Sequence, residues 1–341
     1  MTLSEAIEHL LSGKPLDRAQ AQGVMDVVMA GEATPVQVAG LLVALRARGE
    51  TVEEMAGFVD SMRAHATPLV LTVAAIDTCG TGGDRANTFN ISTAAALVAA
   101  GAGIKVAKHG NRAASSRCGS ADVLEALGVA ISLGPAGVRT CIDEAGIGFC
   151  FAPAFHPAMR HVATARKELG VRTIFNVLGP LANPARVRRQ ALGVGAPALA
   201  PLMVRVLQEL GHERALVFYG EDGLDELTTT AASHVFELEG GSVREYRLDP
   251  QELGLPRRAP TDLLGGTPTE NAAIIRHVFE GEKGARREVV LLNAAAAAVA
   301  AGSAKDFREG LALAARSIDG GAAGRALDRL VRTSTAVKES A

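Results

Sequence analysis

The sequence predicts an α/β protein in which a small all-helical N-terminal domain stands beside a larger α/β domain with a mostly parallel central sheet. Three observations carry this. The first 66 residues hold four helix-start signatures in succession. From about residue 70, short apolar runs alternate with helix-like stretches, the pattern that covers a parallel sheet with helices. A glycine-rich loop joins the first of these runs to the helix that follows it, and open sheets of this kind bind ligands at the carboxyl ends of their strands.

The four signatures are Thr2 with Glu5, Asp17 with Gln20, Thr34 with Gln37 and Thr51 with Glu54. Each allows reciprocal capping of exposed backbone N–H groups, and Pro35 stands at a first helical position, where its missing N–H costs nothing. Val38, Leu41, Leu42 and Leu45 follow the helical period. Such a module packs but carries little chemistry. Residues 70–76 read as a buried strand, and 93–100 as an alanine-rich helix ending at Gly101. A strand over 104–107 follows, then a helix over 120–127 capped by Ser120 and closed by Gly128. A helix over 135–145 ends at Gly146, a buried strand spans 147–152, and a helix over 156–169 has Pro157 near its start and Gly170 at its end. Next come a helical segment over 172–178 broken by Gly179-Pro180, a strand over 191–194, a helix over 198–210 and a strand over 215–219. Gly240-Gly241 between 235–238 and 243–248 signals a hairpin. From 269 onward the chain reads as mostly helical.

The 341 residues allow about two domains and a large core. A net charge of −2, with both signs interspersed, writes neither a nucleic-acid-binding face nor a membrane-directed basic patch. The four cysteines show no CxxC spacing, and no apolar leader is visible, so the expected location is the cytoplasm. The apolar run over 291–301 is too short to span a bilayer and reads as a buried helix.

Three loops hold the chemistry. In Asp77-Thr78-Cys79-Gly80-Thr81-Gly82-Gly83-Asp84 the glycines let the backbone approach a ligand, and Asn90, Ser92 and Thr93 gather where a helix N-terminus attracts anions. A nucleotide P-loop is excluded because no Lys-Ser/Thr closes it; a dinucleotide fingerprint is excluded because Arg85 holds the third-glycine position. The same residues would also serve as turn formers and caps. Lys108-His109-Gly110-Asn111-Arg112, with Ser115, Ser116 and Ser120, forms a second anion loop after the next strand. Two cradles imply two phosphate groups. Gly223-Leu224-Asp225-Glu226 supplies adjacent carboxylates, which repel unless a cation lies between them, and Mg²⁺ prefers oxygen ligands beside phosphates. No Ser, Cys or His stands in a recognisable nucleophile motif.

These motifs resemble the anthranilate phosphoribosyltransferase family, as do Arg172-Thr173-Ile174-Phe175-Asn176-Val177-Leu178-Gly179-Pro180-Leu181, Glu270-Asn271-Ala272 and Leu292-Asn293-Ala294-Ala295. The likeness runs in order along nearly the whole chain; its clearest departure is Gly284-Ala285-Arg286-Arg287, where a proline is expected. The resemblance implies a nucleoside phosphorylase/phosphoribosyltransferase-like fold with a helical domain over 1–70, joined by a helical segment near 171–185. Residues 71–170 and 186–341 would form the α/β domain. It implies transfer of phosphoribosyl from phosphoribosyl pyrophosphate to the amine of anthranilate, with Mg²⁺, in a homodimer formed through the helical domain. By position, Gly80, Gly83, Asp84, Thr88, Asn90, Ile91, Ser92, Thr93, Lys108, His109, Gly110, Asn111, Arg112, Ser115, Ser116 and Ser120 would hold the donor. Gly80, Asn111 and Arg166 would contact anthranilate, and Ser92, Asp225 and Glu226 would hold the metal. Two rival readings are a pyrimidine nucleoside phosphorylase-like enzyme and a non-catalytic relative that binds nucleic acid. The paired carboxylates disfavour the first, because orthophosphate offers no pyrophosphate for Mg²⁺ to clamp, and the near-neutral charge disfavours the second.

Overall fold

A computed structural model describes residues 1–113 and 117–340. Four helices open the chain: α1 (Leu3–Leu11), α2 (Arg18–Ala30), α3 (Pro35–Arg48) and α4 (Val52–Ala64). All four predicted capping boxes form, with the cap side chain and the Glu or Gln three residues on bonding each other's backbone N–H. Then follow β1 (Ile76–Gly80), α5 (Ile91–Gly101), β2 (Val106–Gly110), α6 (Ser120–Ala126), α7 (Pro135–Ala145), β3 (Ile147–Phe151), α8 (Ala152–Phe155) and α9 (Arg160–Leu169). The chain continues through β4 (Arg189–Gly193), α10 (Leu199–Glu209), β5 (Arg214–Gly220), β6 (Ser233–Glu239) and β7 (Ser242–Leu248). It ends in α11 (Pro268–Phe279), α12 (Ala285–Ala301), α13 (Phe307–Asp319) and α14 (Ala322–Glu339).

The seven strands form one sheet in the order β3-β2-β1-β4-β5-β6-β7, in which the β5–β6 and β6–β7 pairs are antiparallel and the other four pairs are parallel. Order reverses between β1 and β4, so a crevice opens at their carboxyl ends, where Gly80 stands opposite Gly193. Successive strand residues face opposite layers, as a pleated strand requires. Ala191, Leu216 and Phe218 join a core with α5, α7, α12 and α14, whereas Leu192, Ala215 and Val217 join one with α1–α4, α9 and α10. The N-terminal helices are therefore the second layer on one face of the sheet.

Several boundaries move. The apolar run over 70–76 is not a strand: Val70 is largely exposed and β1 begins at Ile76, so the strand is the motif Ile76–Gly80 itself. β2 likewise extends three positions beyond Ala107, to Gly110, and carries Lys108 and His109 on the sheet. Ser120 is not a helix cap; Gly119 holds that position and Asp122 bonds its N–H. The helix predicted over 156–169 starts at Arg160, because Pro157 opens a separate 3-10 turn, Pro157–Met159. The segment over 172–178 is a single 3-10 turn, Ile174–Asn176. α9, expected in the α/β domain, packs its Val162 and Ala165 into the core of the N-terminal helices.

Candidate active site

The glycine loop leaves β1 and crosses directly over the carboxylates. Gly82 N–H donates to Asp225 Oδ2 at 2.6 Å, and the Asp225 N–H reaches Asp84 Oδ2 at 3.5 Å. The approach demands glycine. A β carbon on Gly80 would lie 2.4 Å from Asp225 Oδ2, and one on Gly193 would lie 1.7 Å from the Asp225 carbonyl oxygen. Beyond the turn, Arg85 and Asn87 adopt positive φ (60° and 53°), a conformation unfavourable for side chains other than glycine. The loop is held there because Phe89 N–H donates to Leu263 O and Gly265 N–H to Asn87 O.

At the start of α5 no side chain caps the helix. Ser92 N–H instead donates to Glu226 Oε1 at 3.1 Å, which brings the second carboxylate to the positive end of the helix. Asn90 is fixed by Cys118 O at 3.2 Å and by Asn271 at 2.9 Å. Thr93 Oγ1 is buried with no partner among the described residues. Removal from water pushes the Asp225 carboxyl above its ordinary range, and neighbouring Asp84 adds to the shift. Glu226 rises for the same first reason, with Asp225 as its neighbour. Among the described residues no three His, Cys, Asp or Glu side chains cluster as a protein-only metal cage. Two carboxylates beside an anion cradle fit Mg²⁺, which binds through one or two carboxylates plus substrate phosphates.

The second loop rests on a buried network whose connections the sequence did not show. Asp77 accepts from His109 N–H at 3.1 Å and from Asn183 Nδ2 at 2.8 Å; burial lifts its carboxyl to about 6, against the pull of Lys108. Lys108, almost wholly buried, donates to the Thr78 carbonyl and so ties β2 to β1. Asn183 carried no periodicity or motif that would have marked it. Asn271 and Asn293 lie in the family-like segments, but their roles appear only here: Asn293 bonds both N–H and C=O of Leu227 and so fixes the residue after Glu226.

His109 Nδ1 lies 3.1 Å from Gly179 O, which can only accept, so Nδ1 carries the proton and Nε2 presents a lone pair. Burial, helped by His156, lowers His109 to about 3, and burial lowers His156 to about 4; both rings are neutral near pH 7. Their centroids are 5.1 Å apart, and neither Nε2 has a partner among the described residues. Ser120 Oγ bonds Asn111 O at 3.3 Å, keeping those two together. Arg112 turns to Asp122 and Glu125 (2.9 Å each), so its charge is already matched. Ser115 and Ser116 lie outside the described residues. Arg166 has no hydrogen bond to a donor-loop residue among the described residues. Its guanidinium lies 5.5 Å over the Phe175 ring, half-buried, and it pairs with no carboxylate among the described residues.

Residues 4–66 match the helical bundle domain of a glycosyl transferase family and residues 72–324 match its a/b domain. An anthranilate phosphoribosyltransferase of Thermomicrobium roseum is 55% identical, with 99% of each chain covered. That of Rubrobacter xylanophilus is 53% identical over 97% of each. The chain belongs to the anthranilate phosphoribosyltransferase family. Among solved structures, the anthranilate phosphoribosyltransferase of Thermus thermophilus superposes with a TM-score of 0.92 at 48% identity, covering 97% of this chain and 99% of that one. The Saccharomyces cerevisiae anthranilate phosphoribosyltransferase, solved with PRPP and Mg, gives 0.90 at 28% identity and 98% coverage of both. The family fold and the observed one agree in the small helical part and the mostly parallel sheet. No helix among the described residues is long and apolar enough to cross a membrane.

Proposed function

We propose that this chain transfers the phosphoribosyl group of phosphoribosyl pyrophosphate to the amine of anthranilate, releasing pyrophosphate, as its relatives' name describes. The observation that carries the reading is the placement of Asp225 and Glu226, one bonded to the glycine turn and the other to the start of α5. A phosphorolytic enzyme would not need this pair beside two anion loops. Displacement at C1 of the ribose builds positive charge on the sugar and negative charge on the leaving group, so donors aimed at the leaving group matter more than a nucleophilic side chain. Residues Gly80 to Asp84, Thr88, Asn90, Thr93 and the loop from Lys108 to Ser120 would supply those donors, while the Gly82, Ile91 and Ser92 N–H groups are engaged by Asp225, Phe89 and Glu226. Mg²⁺ held by Asp225, Glu226 and the Ser92 hydroxyl would neutralise charge on the pyrophosphate.

The acceptor lies between Gly80, Asn111 and Arg166, whose planar guanidinium suits a carboxylate. His109, two residues before Asn111, packs its ring beside that of His156. A neutral His109 Nε2 can accept an N–H from the acceptor amine and orient it, and with a pKa of about 3 it is too weak a base to remove a proton before attack. We further infer a homodimer through the helices. Leu11, Val36 (81% exposed) and Val43 give α1 and α3, which pack on each other, an apolar outer face. The test of the reading is phosphoribosyl pyrophosphate-dependent consumption of anthranilate, followed by its fluorescence.

A further inference from the structure

Arg172 makes a contact that the donor and acceptor assignments do not use. It follows Gly170, the left-handed residue that ends α9 (φ 64°), and precedes the 3-10 turn Ile174–Asn176. Both flanks are anchored in the core of the N-terminal helices, through Val162 and Ala165 on one side and Ile174 and Phe175 on the other. Phe175 is also the ring beneath Arg166. From this acceptor-side segment the Arg172 guanidinium crosses to the α/β domain, where Nη1 and Nη2 each donate to Gly82 O at 3.3 Å. A β carbon on Gly83 would lie 1.4 Å from Nη1, so the guanidinium lies directly against the turn. The carbonyl of Gly82 is thus held from the acceptor side while its N–H is held by Asp225.

Resting on the functional reading above, we propose that Arg172 is a positioning residue that couples the acceptor segment carrying Arg166 and Phe175 to the glycine turn of the donor cradle. A shift of the turn as it closes on pyrophosphate moves the carbonyl that Arg172 grips, and Arg172 is only six positions along the chain from Arg166. Occupation of one subsite then changes affinity at the other. Such coupling is reciprocal and is commonly about fivefold or more. The side chain is exposed and its two bonds are long, so removing it leaves the fold standing.

The test is a binding measurement without turnover. Anthranilate is titrated into the full-length enzyme with and without saturating pyrophosphate and Mg²⁺, and the ratio of the two Kd values is compared between wild type, Arg172→Ala and Arg172→Lys, each checked for an unchanged Tm. The expected ratio departs from one by about fivefold in wild type, returns to about one in Arg172→Ala and is intermediate in Arg172→Lys. A wild-type ratio of one overturns the proposal. So does an Arg172→Ala enzyme that keeps the wild-type ratio, including the case where its pyrophosphate affinity falls, which would make Arg172 a direct anion ligand. Failure of wild type to bind anthranilate under either condition would instead overturn the functional reading.

Discussion

Gly82 N–H and Asp225 Oδ2 are 2.6 Å apart, joining the glycine turn to a carboxylate 143 positions further along the chain. The bond makes the anion loop and the carboxylate pair one unit, so changes to either should be felt by the other. Asp225→Asn with Glu226→Gln should leave the fold intact and move the Mg²⁺ dependence of turnover to much higher concentration. Because both carboxyls sit above their ordinary range, protons compete with the metal. Mg²⁺ binding to wild type should therefore release protons and weaken from about pH 8 to about pH 6, and this pH dependence should vanish in the double variant. Raised carboxyl pKa values also mean that, without Mg²⁺, stability is lost as pH climbs through the folded-state values. The double variant should then show the higher Tm at alkaline pH without metal, which calorimetry across pH will check.

Arg166 pairs with no carboxylate among the described residues and stands on the ring of Phe175. Removing a charge-assisted pair from a partly buried site costs on the order of 1.5–3 kcal/mol, about ten- to a hundredfold in affinity. Arg166→Ala should raise KM for anthranilate by about that factor and leave KM for phosphoribosyl pyrophosphate nearly unchanged. Steady-state kinetics with each substrate varied in turn will show whether the two constants separate or rise together.

Gly193 faces the backbone of Asp225 with no room for a methyl group. Gly193→Ala should destabilise the fold by about 1–3 kcal/mol and weaken Mg²⁺ binding, because the clash pushes the metal carboxylates off their bonds. Gly23, on an exposed stretch of α2 with nothing within 4 Å, is the control. Gly23→Ala should gain up to about 1 kcal/mol with no effect on metal. Denaturant titrations of the two variants give the comparison.

The apolar outer face of α1 and α3 makes a prediction about assembly. Light scattering at micromolar concentration should give twice the chain mass, and Val36→Glu with Val43→Glu should give the monomer mass. Those two side chains are exposed in the single chain, so a wild-type monomer would remove the reason for the face.

The helical caps were legible in the sequence because they are local: a hydroxyl or carboxylate and a partner three residues on decide them, and all four formed. The donor loop and the carboxylates were legible as residue types at strand ends. Their contact was not, since nothing in residues 80–84 states which distant segment will lie under Gly80. The strand misplaced over 70–76 shows a different limit. Its apolar residues satisfy a strand pattern, but Thr72 and exposed Val70 lead into the sheet, and β1 is built from the polar motif that hydrophobicity passes over. Asn183 escaped notice, and Asp77 was read only as part of the glycine motif, because a buried polar pair is recognised only by its partner. Arg112 is expected at the donor from its neighbours in sequence, whereas its ion pairs with Asp122 and Glu125, brought round by α6, are visible only in the fold.

The most direct test of the central claim is the fluorescence of anthranilate mixed with the purified protein, phosphoribosyl pyrophosphate and Mg²⁺. Fluorescence should fall with time only when all three are present, pyrophosphate should appear in equal amount, and the loss should be far slower with Asp225→Asn and Glu226→Gln combined. Steady fluorescence in the complete mixture, with a folded wild-type protein, would contradict the account.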